Sequence, residues 1–508
     1  MRRLLLAAGA ALVLVLASSA SADTRPTAPV LTSQDAFATA LAEVDASLKS
    51  GDRAHAREVV ERAWRSPAFA EAQPELRLAV LLLVTSLAAE ARDWTVAKAA
   101  VIPASEMPIS DALVWSARLE VATYGRDPED AVYALTVIAQ RFPAALADLA
   151  DEGIAQTQYK AANLPDGPAK AFTLTDALFK AGWTPQDPFT DLSDTRMTYA
   201  RGLIQRGRLD EARVQARAVT DPEALIIMRA DKRFDALGAG DRPSPKAGAL
   251  ARQAQVTALL TKHGALLSGP IAKAEALLAL HRPQAALDTL DAALARATAA
   301  ADAFSDQDDK LAWAHNVRNQ ALTALGRRDE ALEALAAGAR MPEHGQQNVN
   351  QTLNLALAQM RGAQPKAALA TVASVRLDRM SPYGRAVALQ ARTCALAALD
   401  DRDAGHAALK DLRAIGDEAK GNTLEALLCL GDLDEAAALV VERLKSETLR
   451  GGVLLMLQAG PPPDFPSAFD RDHEAKLDAL RARPDVLAAV EPVGRILTYR
   501  PEDLWPTP

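Results

Sequence analysis

The sequence has few of the residues from which disulfide frameworks, β-sandwiches and catalytic centres are commonly built. Cysteine occurs only twice in 508 residues, and aromatic residues make up 4% of the chain. Disulfide-rich scaffolds need more cysteines, and strands are rich in β-branched and aromatic residues. No Gly-x-Ser-x-Gly elbow, phosphate-binding loop or dinucleotide-binding glycine motif occurs. We therefore expect neither a β-rich fold nor an enzyme, and the sequence indicates no cofactor.

Histidine is also scarce, and its spacing does not indicate a metal site. A structural zinc site or a metalloprotease helix places ligands three to five residues apart. No two histidines of this chain have that spacing, and none has a nearby cysteine. We therefore predict no metal site and expect surface or turn positions for the seven histidines, which are His55, His263, His281, His315, His344, His406 and His473.

The chain has no basic block. Without Arg2 and Arg3, its 57 basic residues fall to 55 against 65 acidic ones, a net charge of −10. The two signs of charge are interspersed along the chain. Nucleic acid and anionic lipid attract clustered positive charge, so we predict no nucleic-acid partner.

The N-terminus has the pattern of a secretory signal peptide at 1–22. Arg2 and Arg3 precede an apolar run at 4–17, and Ala-Ser-Ala at 20–22 supplies a small-residue cleavage pattern. The apolar run is too short to span a membrane, and a longer one does not follow. The sequence therefore predicts export of a mature chain without an integral membrane segment, to the periplasm or, alternatively, by secretion.

The clearest positive feature is a stretch that predicts two helices joined at Gly326. Apolar residues before it fall at separations of three and four, which is one face of a helix. A glycine just past a helix end readily adopts positive φ, so Gly326 is expected to end the first helix. Asp329 and Glu330 then place negative charge in the first turn of the next helix, where the helix dipole favours it. Such a pair cannot bury both apolar stripes alone, so we expect copies stacked on either side.

Variants of this turn recur along the chain. Each has a marker residue, often glycine, and a small residue five positions later. Their separations are irregular, and the shorter ones lie between 31 and 45 residues, which is typical of paired-helix repeats. The glycine copies are Gly51 with Ala56, Gly207 with Ala212, Gly326 with Ala331, Gly362 with Ala367, and Gly431 with Ala436, while Arg92, His281 and Asp400 replace the glycine and Gly125 has one extra residue before Ala131.

The Gly-x-x-x-Glu-Ala turns at Gly207, Gly326 and Gly431 resemble those of the tetratricopeptide-repeat (TPR) superfamily. The resemblance implies an all-α, right-handed α-solenoid of stacked antiparallel helix pairs, a TPR-like superhelix in one array or two. It also implies protein or peptide partners. Oligomeric state is left open.

Composition breaks divide the mature chain. We expect an N-terminal array at 23–238, irregular at 150–190, where Pro and Gly interrupt the pattern. A Gly/Pro-rich linker is expected at 239–249, followed by a C-terminal TPR-like array at 250–460. A Pro-rich connection and a tail at 461–508 would cap the end of the array, which otherwise exposes its apolar stripe.

The two cysteines lie near neighbouring turns. Cys394 is six residues before Asp400, and Cys429 is two residues before Gly431. On equivalent helices this is an offset of about one helical turn, ~6 Å, between axes about 8–10 Å apart. A disulfide needs closer Cα atoms, so the spacing favours two buried thiols. A disulfide stays the alternative, because two cysteines in an oxidising compartment can pair.

A partner surface is expected on the first helices of the pairs, which usually line the inner side of a solenoid. An exposed Trp beside amide side chains would suit an extended peptide. The simpler alternative, which we weigh more heavily, is that Trp313 belongs to the core and the amides are merely solvated. The candidate residues are Trp313, Asn316, Gln320 and Thr323 in one unit, Thr352 and Gln359 in the next, and Arg201 and Gln390 in two others.

These features predict an exported, non-enzymatic scaffold for protein–protein interaction, in envelope assembly or quality control. One alternative is an accessory protein that binds or processes cell-wall glycan. A second alternative is an architectural protein that assembles with itself.

Overall fold

A computed structural model describes residues 34–343 and 345–506. The predicted signal peptide at 1–22 and His344 lie outside the described residues. The described chain forms two compact units, one extending to Gln186 and the other beginning at Asp187. The sequence-based division at 239–249 falls inside the second unit, where it holds the 3₁₀ turn Ala239–Asp241 and the start of a helix at Pro245.

The first unit consists of helices arranged as consecutive pairs. Its helices are α1 (Gln34–Ser50), α2 (Arg53–Trp64), α3 (Pro67–Glu71), α4 (Pro74–Glu90), α5 (Trp94–Glu106), α6 (Ala112–Tyr124), α7 (Pro128–Arg141), α8 (Asp151–Ala162) and α9 (Gly167–Lys180).

The second unit continues the same architecture. Its helices are α10 (Ser193–Gln205), α11 (Leu209–Arg217), α12 (Pro222–Ala230), α13 (Pro245–Leu260), α14 (Ser268–Ala279), α15 (Pro283–Ala299), α16 (Gln307–Ala324), α17 (Arg328–Ala339), α18 (Val349–Arg361), α19 (Pro365–Ala373), α20 (Pro382–Ala398), α21 (Arg402–Arg413), α22 (Lys420–Leu430), α23 (Leu433–Lys445), α24 (Arg450–Met456), α25 (Ala468–Arg481), α26 (Pro484–Val490) and α27 (Pro501–Leu504).

The predicted all-α repeat fold is confirmed. Of the residues that the structure describes, 74% are helical, and these residues contain isolated β-bridges but no strand. Within each unit, successive helices pack as hairpins, such as α4 with α5 and α16 with α17, and neighbouring pairs also pack on one another. Stacking buries the apolar stripe of every pair against its neighbour, which is how repeat arrays build a continuous core.

Nine hairpins of the described chain share one type of turn. In each of them, the first helix of the pair ends at a residue in the left-handed conformation. At Gly326, the backbone N–H donates to Thr323 O at 3.0 Å, and the next N–H, of Arg327, donates to Leu322 O at 2.9 Å. This Schellman-type arrangement satisfies carbonyls that the helix end leaves open. At these nine turns the residues with positive φ are Gly51, Arg92, Arg126, Gly207, His281, Gly326, Ala363, Asp400 and Gly431.

Two predicted markers were displaced by one residue. Gly125 and Gly362 have negative φ, and the left-handed residues are Arg126 and Ala363. With this correction the spacing of five is kept in every one of the nine hairpins, since the residue five positions after Arg126 is Ala131.

The small residue at that fifth position is where the second helix meets the first. A larger side chain would push the two helices apart, because interaxial distance depends on the side chains at the contact. At Gly405 an added Cβ would lie 3.8 Å from Thr393 O and 3.9 Å from Leu396 Cβ of the first helix, and 2.9 Å from a methyl carbon of Leu430 in the next pair. The alanines at the equivalent positions are at most 2% exposed, and they are Ala56, Ala97, Ala131, Ala212, Ala286, Ala331, Ala368 and Ala436.

The segment expected to be irregular at 150–190 is mostly helical. It holds the pair α8 and α9, joined by a turn in which Asp166 has φ of 56°. Only the residues after Lys180, up to the start of α10, lack a helix. The Pro and Gly residues between α8 and α9 therefore mark a hairpin turn of another type.

The two ends of the second unit meet. Helix α12 packs against α24, and the chain after α12 pairs with the C-terminal segment. Lys232 N donates to Val493 O at 3.0 Å, and Arg495 N donates to Ala230 O at 2.9 Å. Arg495 also pairs with Asp235, and this contact lowers the pKa of the Asp235 carboxyl. The C-terminal tail thus joins both ends of the array. The sequence predicts only that the tail caps one end.

Cys394 and Cys429 form a disulfide, with Cα atoms 5.0 Å apart. The preference for two thiols was therefore wrong. Helices α20 and α22 pack directly on each other, and the small side chains at the contact, including Ala395 beside Cys394, permit a closer approach than an average helix pair. The bond joins the first helices of two neighbouring pairs.

Candidate functional site

The first helices α16, α18, α20 and α22 belong to successive pairs, and each packs against the next. Amide side chains bridge them at equivalent positions. Asn354 Nδ2 donates to Asn316 Oδ1 at 3.0 Å, and Asn422 Nδ2 donates to Gln390 Oε1 at 2.6 Å. In both cases the acceptor lies ten residues before the left-handed turn residue of its own pair. The donor lies nine residues before the left-handed turn residue of the next pair. These amides therefore hold neighbouring helices in register.

Helix α16 presents the exposed part of the predicted partner surface. Trp313 is 41% exposed, so it is not a core residue. Gln320 and Thr323 are exposed about two and three turns after Trp313 along the helix, and Asn316 is half-buried between them and Trp313. An indole ring flanked by side-chain donors and acceptors can pack on an apolar group and hydrogen-bond a peptide backbone. We name Trp313, Asn316, Gln320 and Thr323 the α16 face.

Three other predicted residues do not lie on an exposed face. Thr352 and Gln390 are 5% and 9% exposed. The Thr352 hydroxyl donates to Asn348 O within its own helix, at 2.7 Å. Gln359 accepts a hydrogen bond from Thr371 in the second helix of its pair, at 2.7 Å. Local spacing placed these side chains on the inner surface, whereas each makes a structural contact. Thr352 bonds within its own helix, Gln359 within its own pair, and Gln390 to Asn422 of the next pair.

Arg201 lies elsewhere, at the junction where the ends of the second unit meet. Burial, with repulsion from Arg233, lowers its pKa to about 10. Asp231 is fully buried and accepts hydrogen bonds from Arg233. Its negative charge offsets part of the lowering of the Arg201 pKa. Arg201 is therefore better explained as part of this junction than as part of a partner surface.

The second unit also contains an acidic concavity of about 300 Å³ that sequence reasoning missed. Burial raises the pKa of the Asp194, Asp221 and Glu275 carboxyls, and neighbouring carboxylates add to the shift. Arg252 lines the same concavity and donates to Phe189 O. The residues come from four different helices or loops, so no local sequence signal could have shown that they meet.

None of these groups forms a metal centre in the described part of the chain, where no three His, Cys, Asp or Glu side chains are arranged to hold an ion.

No helix within residues 34–343 and 345–506 has the length and apolar character needed to cross a membrane.

Comparison with known proteins gives likeness at the level of structure alone. No protein-family model matches the chain, and no curated protein matches it. Among solved structures, the chain is similar to the Cut9–Hcn1 hetero-tetramer of APC/C, with 13% identity, 90% of each chain covered and a TM-score of 0.28. It is also similar to the TPR domain of P58(IPK), with 14% identity, 80% of this chain and 100% of that chain covered, and a TM-score of 0.17.

A third similar structure is Naa15/Naa10 bound to HypK-THB, with 12% identity, 94% of this chain and 76% of that chain covered, and a TM-score of 0.23. What those proteins assemble with is a property of those proteins.

Proposed function

We propose that this protein is an exported, periplasmic scaffold that binds other proteins through the α16 face and acts in envelope assembly or quality control. TPR-like repeat folds generally mediate protein–protein interaction. Repeat arrays offer extended surfaces on rigid helices, and their binding residues need no catalytic chemistry.

Two observations support export. The first 22 residues have the charge, apolar core and small-residue end of a signal peptide. The disulfide between Cys394 and Cys429 supports the same location, because disulfides persist in oxidising compartments and are rare in reducing ones.

The observation that carries the binding proposal is the exposure of Trp313 beside amide and hydroxyl groups. Tryptophan is enriched among the residues that contribute most to protein interfaces, because it buries a large rigid area at low entropy cost. On the α16 face, Gln320 and Asn316 can bond the backbone of an extended segment while the indole packs on one of its side chains. A segment of this kind is the proposed ligand.

Crosslinking in intact cells tests this proposal. We compare the wild-type chain with Trp313→Ala and with Tyr383→Ala, a matched control whose ring is 59% exposed on another helix. The expected result is that wild type and Tyr383→Ala capture the same envelope proteins, and that Trp313→Ala loses them while keeping its helical circular-dichroism spectrum.

Capture that does not depend on Trp313 would contradict the assignment of the α16 face. Binding to purified cell-wall material without any protein partner would contradict the scaffold and favour the glycan alternative. Self-association in light scattering, again without a second protein, would favour the architectural alternative. Free thiols at Cys394 and Cys429 in freshly lysed cells would contradict export.

A further inference from the structure

After α24, the chain crosses the edge of the array before α25 begins. We name residues 460–473, which include the first six residues of α25, the strap. It passes the turns at the C-terminal ends of the first helices, and it meets them in chain order, from the α14/α15 turn to the end of α22. The strap therefore contacts several repeats at once.

The first half of the strap is held by an acid, an aromatic ring and one carbonyl. Asp464 pairs with His281 Nε2 at 3.0 Å. The Phe465 ring lies on the turn residue Gly326, where an added Cβ would be 2.8 Å from the ring carbon Cγ. Arg328 Nη2 donates to the Phe465 carbonyl. Only glycine allows the ring to lie this close to the turn, so the turn forms a seat for an aromatic side chain.

The second half of the strap ends on the disulfide-linked helices. Phe469 packs against a small cluster that includes Met360 and the two cysteines. His473 Nε2 pairs with Glu425 of α22 at 2.8 Å. The C-terminal end of the chain adds one more contact to the edge, since Trp505 stacks on His281 with ring centroids 4.5 Å apart.

The first half of the strap is attached only weakly. The Phe465 side chain and the Asp464 side chain each remain 53% exposed. The prolines at 461–463 and 466 have no N–H to donate, so the strap cannot add to the array through a ladder of backbone hydrogen bonds. Exposed ion pairs contribute little. The segment thus has the properties of a bound peptide that happens to be covalently attached.

We propose that the edge formed by His281, Gly326 and Arg328 is a docking site for an extended, proline-rich segment of a partner protein, and that the strap occupies this site when the partner is absent. The chemistry of the site defines the ligand. It needs a carboxylate for His281, an aromatic ring for the seat at Gly326, and a carbonyl acceptor for Arg328. Flanking prolines keep such a segment extended before it binds, which lowers the entropy cost.

The covalent attachment explains how a weakly held strap can keep the site filled. A linked segment acts at an effective concentration in the millimolar range, so a free peptide with the same contacts competes poorly. Weakening the strap, without changing the edge, should therefore open the site to a free peptide. The site shares no residue with the α16 face, so a failure of this test would leave the proposed function standing.

The test uses the full chain and a fluorescent peptide with the sequence of residues 459–473, measured by anisotropy. In the double variant Asp464→Asn, Phe465→Ala the first half of the strap loses its two side-chain contacts, while those of Phe469 and His473 remain. We expect this variant to bind the peptide at least about ten times more tightly than the wild type. A control variant, Asp472→Asn, alters an exposed carboxylate paired only with Lys476 on α25, and it should bind the peptide like the wild type.

Adding Arg328→Gln to the double variant should return binding to the wild-type level, and a peptide in which the residue equivalent to Phe465 is alanine should not bind. Equal binding by the double variant and the wild type would overturn the proposal. Binding to the double variant that Arg328→Gln leaves unchanged would also overturn it.

A second measurement covers the case in which the double variant does not fold. Hydrogen exchange of the wild-type strap is followed while the peptide is added to saturation. Displacement predicts faster exchange at the strap amides from 464 to 473 and unchanged exchange in α16. If the peptide saturates without any change in strap exchange, it binds elsewhere and the proposal is wrong.

Discussion

Replacing Gly326 by alanine separates the two roles of this residue, as a left-handed turn residue and as the seat of Phe465. Its φ is +74°, a conformation that costs a residue with a Cβ roughly 1–2 kcal/mol. The new Cβ would also lie 2.8 Å from the Phe465 ring, so the ring must move.

Gly431→Ala is the matched control. Gly431 ends α22 in the same type of turn with φ of +78°, and nothing lies within 4 Å of an added Cβ. This variant therefore has only the backbone cost, about 1–2 kcal/mol of unfolding free energy. Gly326→Ala has the same cost and also loses the packing of Phe465. Because the Phe465 side chain is only half-buried, that loss is about 1 kcal/mol, half of a full phenylalanine burial.

The assay is urea denaturation of the full chain followed by far-ultraviolet circular dichroism, with hydrogen exchange to localise the change. We expect Gly326→Ala to be less stable than Gly431→Ala by about 1 kcal/mol, with faster exchange in the strap for Gly326→Ala alone. Equal loss of stability in the two variants, with unchanged strap exchange, would refute the contact between Phe465 and the turn.

Three further predictions follow from the packing. Replacing Cys394 and Cys429 together by serine should lower the unfolding free energy by up to about 4 kcal/mol, because the disulfide closes a sequence separation of 35 residues. Mass spectrometry of the wild-type chain with and without reductant checks the disulfide itself, and a mass that reductant does not change would contradict it. Ala286→Leu should cost about 1–3 kcal/mol by overpacking a position with no exposed surface, whereas Ala285→Leu on the exposed side of the same helix should change stability little in the same denaturation assay. Burial lowers the pKa of His315 below its ordinary 6.5, so the unfolded state binds a proton more readily than the folded state. Keeping His315 neutral therefore contributes to the free energy of unfolding above pH 6.5, and this contribution is lost as the pH falls below 6.5. His315→Gln should therefore flatten the decline of stability between about pH 7 and about pH 5, and a steeper decline would show the sign to be wrong.

The residues of the α16 face show where local reasoning succeeds and where it stops. Periodicity placed Trp313 and Gln320 on one side of a helix, and both are exposed there. The same reasoning placed Gln390 on an exposed surface, but Asn422 of the next pair covers and bonds it. Periodicity assigns a side chain to a helix face, whereas the next pair decides whether that face meets solvent.

The amino-acid sequence by itself determined the hairpins. Each shared turn depends on backbone hydrogen bonds spanning three to five residues and on one small residue five positions later, so all the information is local. The shift from Gly125 to Arg126 and from Gly362 to Ala363 changed the exact residue and left the pattern intact.

Only the tertiary structure decided the contacts between distant parts of the chain. The disulfide depends on how closely α20 and α22 pack, which an average helix spacing misjudged. The pairing of Asp235 with Arg495 joins residues 260 positions apart, and the strap places Phe465 on Gly326, with the eight helices α17 to α24 between them in the chain. Such contacts depend on the curvature that accumulates over many stacked pairs, and small differences at each pair decide which residues finally meet.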